Sequence, residues 1–132
     1  MAREIPVKVL IADDETGVLD STGALLREMG YSVVTTADHR KVPLLIRTES
    51  PSLLLLDVVM PGMEIRAFVK LLRDDPSTRA VPIILFSAGF GIDDGWWRLE
   101  VEDFLPKPFR PSDLAEAVER AIGASTRGSS KP

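Results

Sequence analysis

The chain has 132 residues, of which 45% are hydrophobic, and 16 Lys or Arg against 20 Asp or Glu give a net charge of −4. This length suits one domain with its own core, and the negative balance disfavours direct binding to nucleic acid. With no cysteine and a single histidine, His39, the sequence excludes a disulfide framework, thiolate catalysis and a multi-histidine metal site.

The predicted elements alternate between strands and helices. The first apolar segment, residues 7–12, is much shorter than the roughly 20 residues that a membrane span requires, so we expect a soluble cytoplasmic protein with a buried strand here. Further buried strands are predicted at 32–36, 53–56, 83–86 and 103–105. Continuous apolar runs of this kind are typical of a parallel sheet that helices cover on both faces.

Segments with helical spacing of apolar residues separate these strands. The second helix contains Pro43, which a helix tolerates only in its first turn. The fourth must fit between the last two strands, where Gly89, Gly91 and Gly95 favour a shortened or irregular helix. The pattern predicts an α/β fold with an open, doubly wound sheet and right-handed crossovers.

The composition changes after Ile122, where the apolar face of the last helix ends. Residues 123–132, GASTRGSSKP, are rich in Ser and Gly and have no apolar pattern. We therefore predict a domain over residues 1–122, followed by a disordered tail or the start of a linker over 123–132.

Polar side chains follow the predicted strands at the points where the strands end. Asp13 and Asp14 follow the first strand, and Asp57 ends the third. Ser87 follows the fourth strand and Lys107 follows the fifth. Because ligands of open α/β sheets bind beyond the carboxyl ends of the strands, we expect these side chains to converge there.

The three carboxylates would repel one another unless a cation compensates them. Oxygen ligands without His or Cys favour Mg²⁺, or Mn²⁺, and Mg²⁺ commonly binds a phosphate oxygen as well. Lys107 supplies a positive charge and Ser87 a hydroxyl donor for the remaining phosphoryl oxygens. Asp57 can then act as a nucleophile and form an acyl phosphate.

These motifs, in this order along the chain, resemble the receiver domain of two-component response regulators, from about Val7 to Ile122. The matching stretches are LIADDE, LLLLDVVMPGM, ILFSAG and DFLPKPF. The resemblance implies a chemotaxis-regulator-like, flavodoxin-like (βα)5 fold with strand order 2-1-3-4-5. It also implies signal transduction by phosphorylation of Asp57, with a sensor histidine kinase, a phosphotransfer protein or a small phosphodonor as the source.

The resemblance also implies a ligand set for the metal. Asp14 and Asp57 would bind Mg²⁺ directly, Asp13 would bind it through water, and the backbone carbonyl of Val59 would be a further ligand. The bond between Lys107 and Pro108 is a candidate for the cis form.

A switch surface is a further implication of the resemblance. On phosphorylation Ser87 would turn toward the phosphoryl group and Phe104 would move inward, which changes the surface of the fourth helix, fifth strand and fifth helix. Trp96 and Trp97 are adjacent, so they cannot both face one core. An exposed tryptophan here would be a partner-binding anchor, although both could instead cover a shortened fourth helix.

The sequence departs from the family pattern in two loops. Glu64 and Ile65 replace the usual Asp-Gly after the third strand, so the loop lacks a glycine that permits unusual backbone angles. Glu100 and Val101 replace the usual Gly-Ala before the fifth strand. The paths of these two loops therefore do not follow from the resemblance.

Three functions are compatible with the sequence. The favoured one is a phosphoacceptor switch, not an enzyme, whose chemistry is its own phosphorylation and dephosphorylation. Its output would be a downstream protein partner, a covalently linked effector or a phosphorylation-dependent homodimer. A pseudo-receiver would bind partners without phosphorylation. An aspartate-nucleophile phosphatase of the haloacid dehalogenase type normally has a second acid two residues after the nucleophile, where this chain has Val59.

Overall fold

Five strands form one parallel sheet in the order β2-β1-β3-β4-β5. The computed structural model describes residues 7–88 and 95–126. The strands β1 to β5 span Lys8–Ala12, Ser32–Thr36, Leu53–Asp57, Ile83–Ser87 and Asp103–Pro106. The described helices α1 to α4 span Thr16–Glu28, Val42–Glu49, Ile65–Asp74 and Pro111–Thr126. The predicted α/β class and the strand order are confirmed.

Both faces of the sheet are buried, because helices cover each of them, and the strand side chains alternate between the two faces. The first face packs against α2 and α3 through Leu10, Ala12, Leu54, Leu56, Ile83 and Leu85. The second face packs against α1 and α4 through Val9, Ile11, Leu53, Leu55, Ile84 and Phe86. All five residues of the central strand β3 are buried. The run of four leucines therefore supplies side chains to both layers of the core.

The loop from β3 to α3 ends at Glu64 and Ile65, which replace the usual Asp-Gly of the family. Gly62 has a φ of 75° and forms the turn after Pro61. The Glu64 carboxylate accepts hydrogen bonds from the backbone N–H groups of Arg66 and Ala67, both at 3.1 Å. Glu64 is thus the N-cap of α3, and Ile65, the first helical residue, is buried.

Proline is found where the geometry of a helix allows it. Pro43 lies in the first turn of α2, as predicted, and a 3-10 turn at His39–Lys41 precedes this helix. Pro111 is the first residue of α4, where a missing backbone N–H costs no helical hydrogen bond. The Asp113 carboxylate, in the first turn of α4, accepts a hydrogen bond from the backbone N–H of Arg110, the residue before the helix, at 3.0 Å.

The segment between β4 and β5 contains a single 3-10 turn, Trp96–Arg98, in its described part. Residues 89–94, the rest of the predicted fourth helix, lie outside the described residues. The helix labelled α4 is therefore the fifth helix of the sequence prediction. It continues past Ile122 to Thr126, whereas the predicted tail begins at Gly123. Residues 127–132 lie outside the described part, and the domain boundary stays a prediction. None of the described helices has the length and apolar character needed to cross a bilayer.

Candidate functional site

Three carboxylates meet at the carboxyl ends of β1 and β3. Asp13 directly follows β1, and Asp57 is the last residue of β3. With Asp14 they offer ligand oxygens that all lie within 4.8 Å of one another. Asp13 is fully buried and Asp57 is only 5% exposed, whereas Asp14 is exposed to solvent. The cluster is therefore buried on one side and open on the other.

Lys107 extends into this cluster from the end of β5. Its Nζ donates a hydrogen bond to Oδ2 of Asp13 at 2.7 Å and lies 3.9 Å from Oδ1 of Asp57. The backbone N–H of Lys107 donates to the carbonyl of Ser87 at 3.1 Å. The ammonium group also lies 4.5 Å from the centre of the Phe86 ring, within cation–π range. The Lys107–Pro108 bond is cis, in agreement with the prediction.

Burial and the neighbouring negative charge both act on the carboxylate of Asp57. Burial raises the pKa of Asp57 from 3.8 to about 6, and the negative charge of Asp13 adds to this effect. Lys107 and the backbone N–H of Val59, which donates to Asp57 at 3.3 Å, lower the pKa without offsetting the burial. Asp13 also accepts from the backbone N–H of Glu15 at 2.9 Å. A second cation would relieve this excess of negative charge.

The donor chemistry of the cluster fits a hard divalent cation. Its ligand atoms are carboxylate oxygens from Asp13, Asp14 and Asp57, the type of ligand that Mg²⁺ prefers. Val59, two residues after Asp57, has a side chain that is 65% exposed and offers no polar group there. Its contribution to a metal would be its backbone carbonyl, and this role stays a prediction.

The comparison with known protein families decides the identity of the fold. A family model described as the response regulator receiver domain matches residues 9–119. The chain belongs to this family. The protein named "Probable transcriptional regulator ycf27" of Guillardia theta is 35% identical over 121 residues, which are 90% of this chain and 46% of that protein. This receiver domain thus spans about half the length of the curated relatives that it matches.

Solved receiver domains share this structure over nearly their whole length. Chemotaxis protein CheY4 of Vibrio cholerae has 26% identity and a TM-score of 0.80, with 89% of this chain and 99% of that chain covered. The receiver domain of sensor histidine kinase PA1611 from Pseudomonas aeruginosa has 25% identity and a TM-score of 0.80. That comparison covers 90% of this chain and 99% of the other, and the PA1611 structure has a magnesium ion in its active site cleft.

The predicted switch residues of the receiver domain lie on the last two strands. Ser87 ends β4 and is buried. Phe104 lies in β5 beside Leu85 of β4 and is half-buried. Its ring stacks on Trp96, with centroids 5.8 Å apart and an angle of 26° between the planes. The movement of these two residues on phosphorylation stays a prediction.

The two tryptophans were predicted as a partner-binding surface of the receiver domain. Trp96 is half-buried and packs against the core on the α2–α3 side of the sheet, together with Phe104. The side chain of Trp97 lies outside the described part of the structure. The structure therefore assigns Trp96 an internal contact, and a role in partner binding stays a prediction for both.

His39, to which no role was assigned from the sequence, lies beside α3. Its ring contacts Phe68 of α3 edge to face. No spacing rule connects positions so far apart in sequence, because the contact depends on how the turn before α2 packs against α3.

Proposed function

We propose that this receiver domain is a phosphoacceptor switch in which Asp57 receives a phosphoryl group from a sensor histidine kinase or a phosphotransfer protein. The observation that supports this proposal best is the joint placement of three carboxylates and one lysine, with Lys107 2.7 Å from Asp13 and 3.9 Å from Asp57. This set favours phosphorylation over a pseudo-receiver, and Val59 in place of a second acid disfavours the phosphatase alternative.

The proposed reaction depends on Mg²⁺, or on Mn²⁺ in its place. Asp14 and Asp57 would bind the ion directly, Asp13 through water, and Val59 through its carbonyl. When bound, the ion neutralises the carboxylates and stabilises charge on the phosphoryl oxygens. The all-oxygen donor set and the raised pKa of Asp57 both support a divalent cation at this position.

The protein residues have separate tasks in the proposed transfer. An ionised oxygen of Asp57 attacks phosphorus, an O–P bond forms, and the bond from phosphorus to the donor's leaving group breaks. A pKa of about 6 leaves Asp57 mostly ionised at neutral pH, so it is available as the nucleophile. Lys107 places its positive charge beside the acceptor, and Ser87 would donate its hydroxyl hydrogen to the phosphoryl group.

The proposed output is a change in the surface formed by the segment before β5, by β5 and by α4. Ser87 and Phe104 lie at the end of β4 and within β5, next to this surface. The phosphorylated domain would act in the cytoplasm on a downstream protein partner, a covalently linked effector or a second copy of itself. Its chemistry would be limited to its own phosphorylation and dephosphorylation, so it would not act as an enzyme on other substrates.

Labelling with acetyl phosphate tests this function directly. In the presence of Mg²⁺ we expect a mass gain of about 80 daltons, one phosphoryl group, on the wild-type chain. The Asp57→Asn variant should show no gain, because an amide is a poor nucleophile. Removal of Mg²⁺ by a chelator should also prevent labelling of the wild type. An unmodified wild type, or equal labelling of the Asp57→Asn variant, would refute the assignment.

A further inference from the structure

The guanidinium group of Arg73 joins α3 to two segments outside that helix. The Arg73 side chain lies near the end of α3 and is only 11% exposed. Its Nη1 donates to the backbone carbonyls of Arg79 and Val81, at 2.8 and 2.6 Å. Its Nε donates to the carbonyl of Glu100 at 2.8 Å, and its Nη2 donates to the carboxylate of Glu102 at 3.1 Å. The planar fork of an arginine reaches these four acceptors together, whereas a lysine has only three donors on one atom.

Glu102 is shared between Arg73 and the start of β4. Its Oε1 accepts the N–H of Ile83 at 2.6 Å, and its own N–H donates to the carbonyl of Ile83 at 2.8 Å. The pairing of β5 with β4 begins at the next residue, where Asp103 lies beside Ile84. Because β5 is at the edge of the sheet, it has a neighbouring strand on one side only. The contact of Arg73 with Glu102 therefore fixes the point at which this edge strand begins.

Backbone hydrogen bonds connect the Glu100 carbonyl to the 3-10 turn before β5. The N–H of Val101, which belongs to the same peptide unit, donates to the carbonyl of Leu99 at 2.8 Å. The N–H of Leu99 donates to the carbonyl of Trp96 at 3.0 Å. Val101 is buried, and Leu99 and Trp96 pack against the same layer of the core. This series of bonds ends at the indole that stacks on Phe104.

We infer that Arg73 is a positioning residue for the turn at Trp96: its guanidinium fork holds the peptide unit of Glu100 and Val101 and, through it, the indole against Phe104. Glu100 and Val101 stand where the family usually has Gly-Ala, so the anchor lies in a stretch that is particular to this chain. The position of the indole is a property of the resting domain. Its consequence for signalling rests on the proposed function, in which Phe104 is a switch residue.

Tryptophan emission of the resting domain tests this role without a metal ion or a phosphoryl group. The chain has two tryptophans, so Trp97→Phe leaves Trp96 as the reporter. In this background Arg73→Lys should shift the emission to longer wavelength, because a less firmly held turn exposes the half-buried indole to water. Lysine keeps the positive charge but cannot supply all four acceptors. Arg79→Gln alters an exposed side chain, keeps the carbonyl that Arg73 binds, and should leave the emission unchanged.

Thermal unfolding of the same variants separates positioning from a contribution to stability. If Arg73 only stabilises the fold, Arg73→Lys should lower the melting temperature and leave the emission of the folded domain unchanged. That result would overturn the inference. A shift in Arg79→Gln equal to that in Arg73→Lys would also overturn it, because the response would then not depend on the guanidinium fork.

Hydrogen exchange gives a second test, which begins with the wild type. The amides of Val101 and Glu102 both donate backbone hydrogen bonds, and they should exchange at least roughly tenfold more slowly than those of an unstructured chain. In Arg73→Lys this protection should fall by roughly tenfold, because opening the segment no longer breaks the bonds to the fork. The amide of Tyr31, which donates to the carbonyl of Leu26, is the internal control and should lose less protection.

The outcomes separate this inference from the proposed function. Unprotected amides at Val101 and Glu102 in the wild type, or an equal loss of protection at Tyr31 in Arg73→Lys, would overturn the role of Arg73. A wild type that takes no phosphoryl group from acetyl phosphate would refute the proposed function. The emission and exchange of the resting domain would still decide whether Arg73 holds the turn.

Discussion

The ammonium group of Lys107 donates a 2.7 Å hydrogen bond to the carboxylate of Asp13, which is fully buried. The Lys107 side chain is only 16% exposed, so solvent screens this pair weakly. Asp57, 3.9 Å from the same ammonium group, has the weaker contact. The lysine therefore compensates Asp13 first, and the acceptor Asp57 keeps its raised pKa.

Loss of the lysine charge should destabilise the domain at neutral pH. Lys107→Met keeps an unbranched side chain but removes the ammonium group that lies over Phe86, and it leaves Asp13 buried without its cation. We expect the free energy of unfolding to fall by about 1–3 kcal/mol, measured by urea unfolding. The deficit should shrink below about pH 6, where Asp57 takes up a proton and the repulsion within the cluster weakens.

A matched control is available on α3. Lys70 pairs with Asp74 at 2.9 Å, but both side chains are well exposed, at 74% and 63%. Lys70→Met should therefore leave the free energy of unfolding almost unchanged. If Lys107→Met is as stable as the wild type at neutral pH, the buried pair has no net stabilising role.

The raised pKa of Asp57 gives the domain a specific pH dependence. The folded carboxyl holds its proton up to about pH 6 and the unfolded one only up to about 3.8. Proton binding therefore favours the folded state at low pH, and this advantage is lost as the pH rises through that interval. Asp57→Asn should be more stable than the wild type at neutral pH, by about 1–3 kcal/mol.

Urea unfolding at several pH values checks this dependence on Asp57. The difference between Asp57→Asn and the wild type should decrease as the pH falls and should be small below about pH 4. Asp74→Asn, on the exposed part of α3, serves as the control and should show no comparable gain at neutral pH. A wild type that is more stable than Asp57→Asn at neutral pH would contradict the raised pKa.

The sequence alone was sufficient to predict the sheet and the convergence of the three carboxylates and Lys107 at its edge. The four residues before Asp57 are all leucine, a run that is typical of a strand with two covered faces, and β3 is such a strand. Polar residues at strand ends then had to lie at one edge of a parallel sheet. The order of the strands came from the family resemblance, because hydrophobic patterns do not specify which strands are neighbours.

Other features depend on distances that a sequence does not contain. The pKa of Asp57 depends on its burial and on its separation from Asp13 and Lys107. The contact of the His39 ring with Phe68 joins a turn and a helix with no shared periodicity. In the sequence, Glu64 was noted only because it stands in place of the family's Asp-Gly, yet its side chain caps α3. The replacement of Asp-Gly therefore removes a glycine from the loop but supplies an N-cap for α3, and the cap is visible only once the backbone path is known.

The cap supplied by Glu64 should contribute measurably to stability. Glu64→Ala removes the acceptor for the N–H groups of Arg66 and Ala67 and should lower the free energy of unfolding by about 0.5–2 kcal/mol. Glu64→Ser, which restores a good N-cap, should recover most of this loss. Thermal or urea unfolding of both variants provides the measurement. Equal stability of Glu64→Ala and the wild type would show that solvent satisfies these groups equally well.

The stack of Trp96 on Phe104 makes tryptophan fluorescence a reporter of the proposed switch. If Phe104 moves inward when the acceptor site is occupied, the indole of Trp96 loses a neighbour at 5.8 Å, and its emission should change. Beryllofluoride with Mg²⁺ serves as the stable substitute for the phosphoryl group. We expect a change in emission in the wild type and in Trp97→Phe, and little or none in Trp96→Phe.

Two further variants determine what an emission change means. Asp57→Asn should abolish it, because the beryllofluoride ligand needs the acceptor carboxylate. Phe104→Leu should reduce it, because the aromatic partner of Trp96 is absent. A change that persists in Trp96→Phe would place the responding group elsewhere in the chain. A wild type that binds beryllofluoride without any change would show that the contact between Trp96 and Phe104 is retained, so Phe104 would not act as the switch residue.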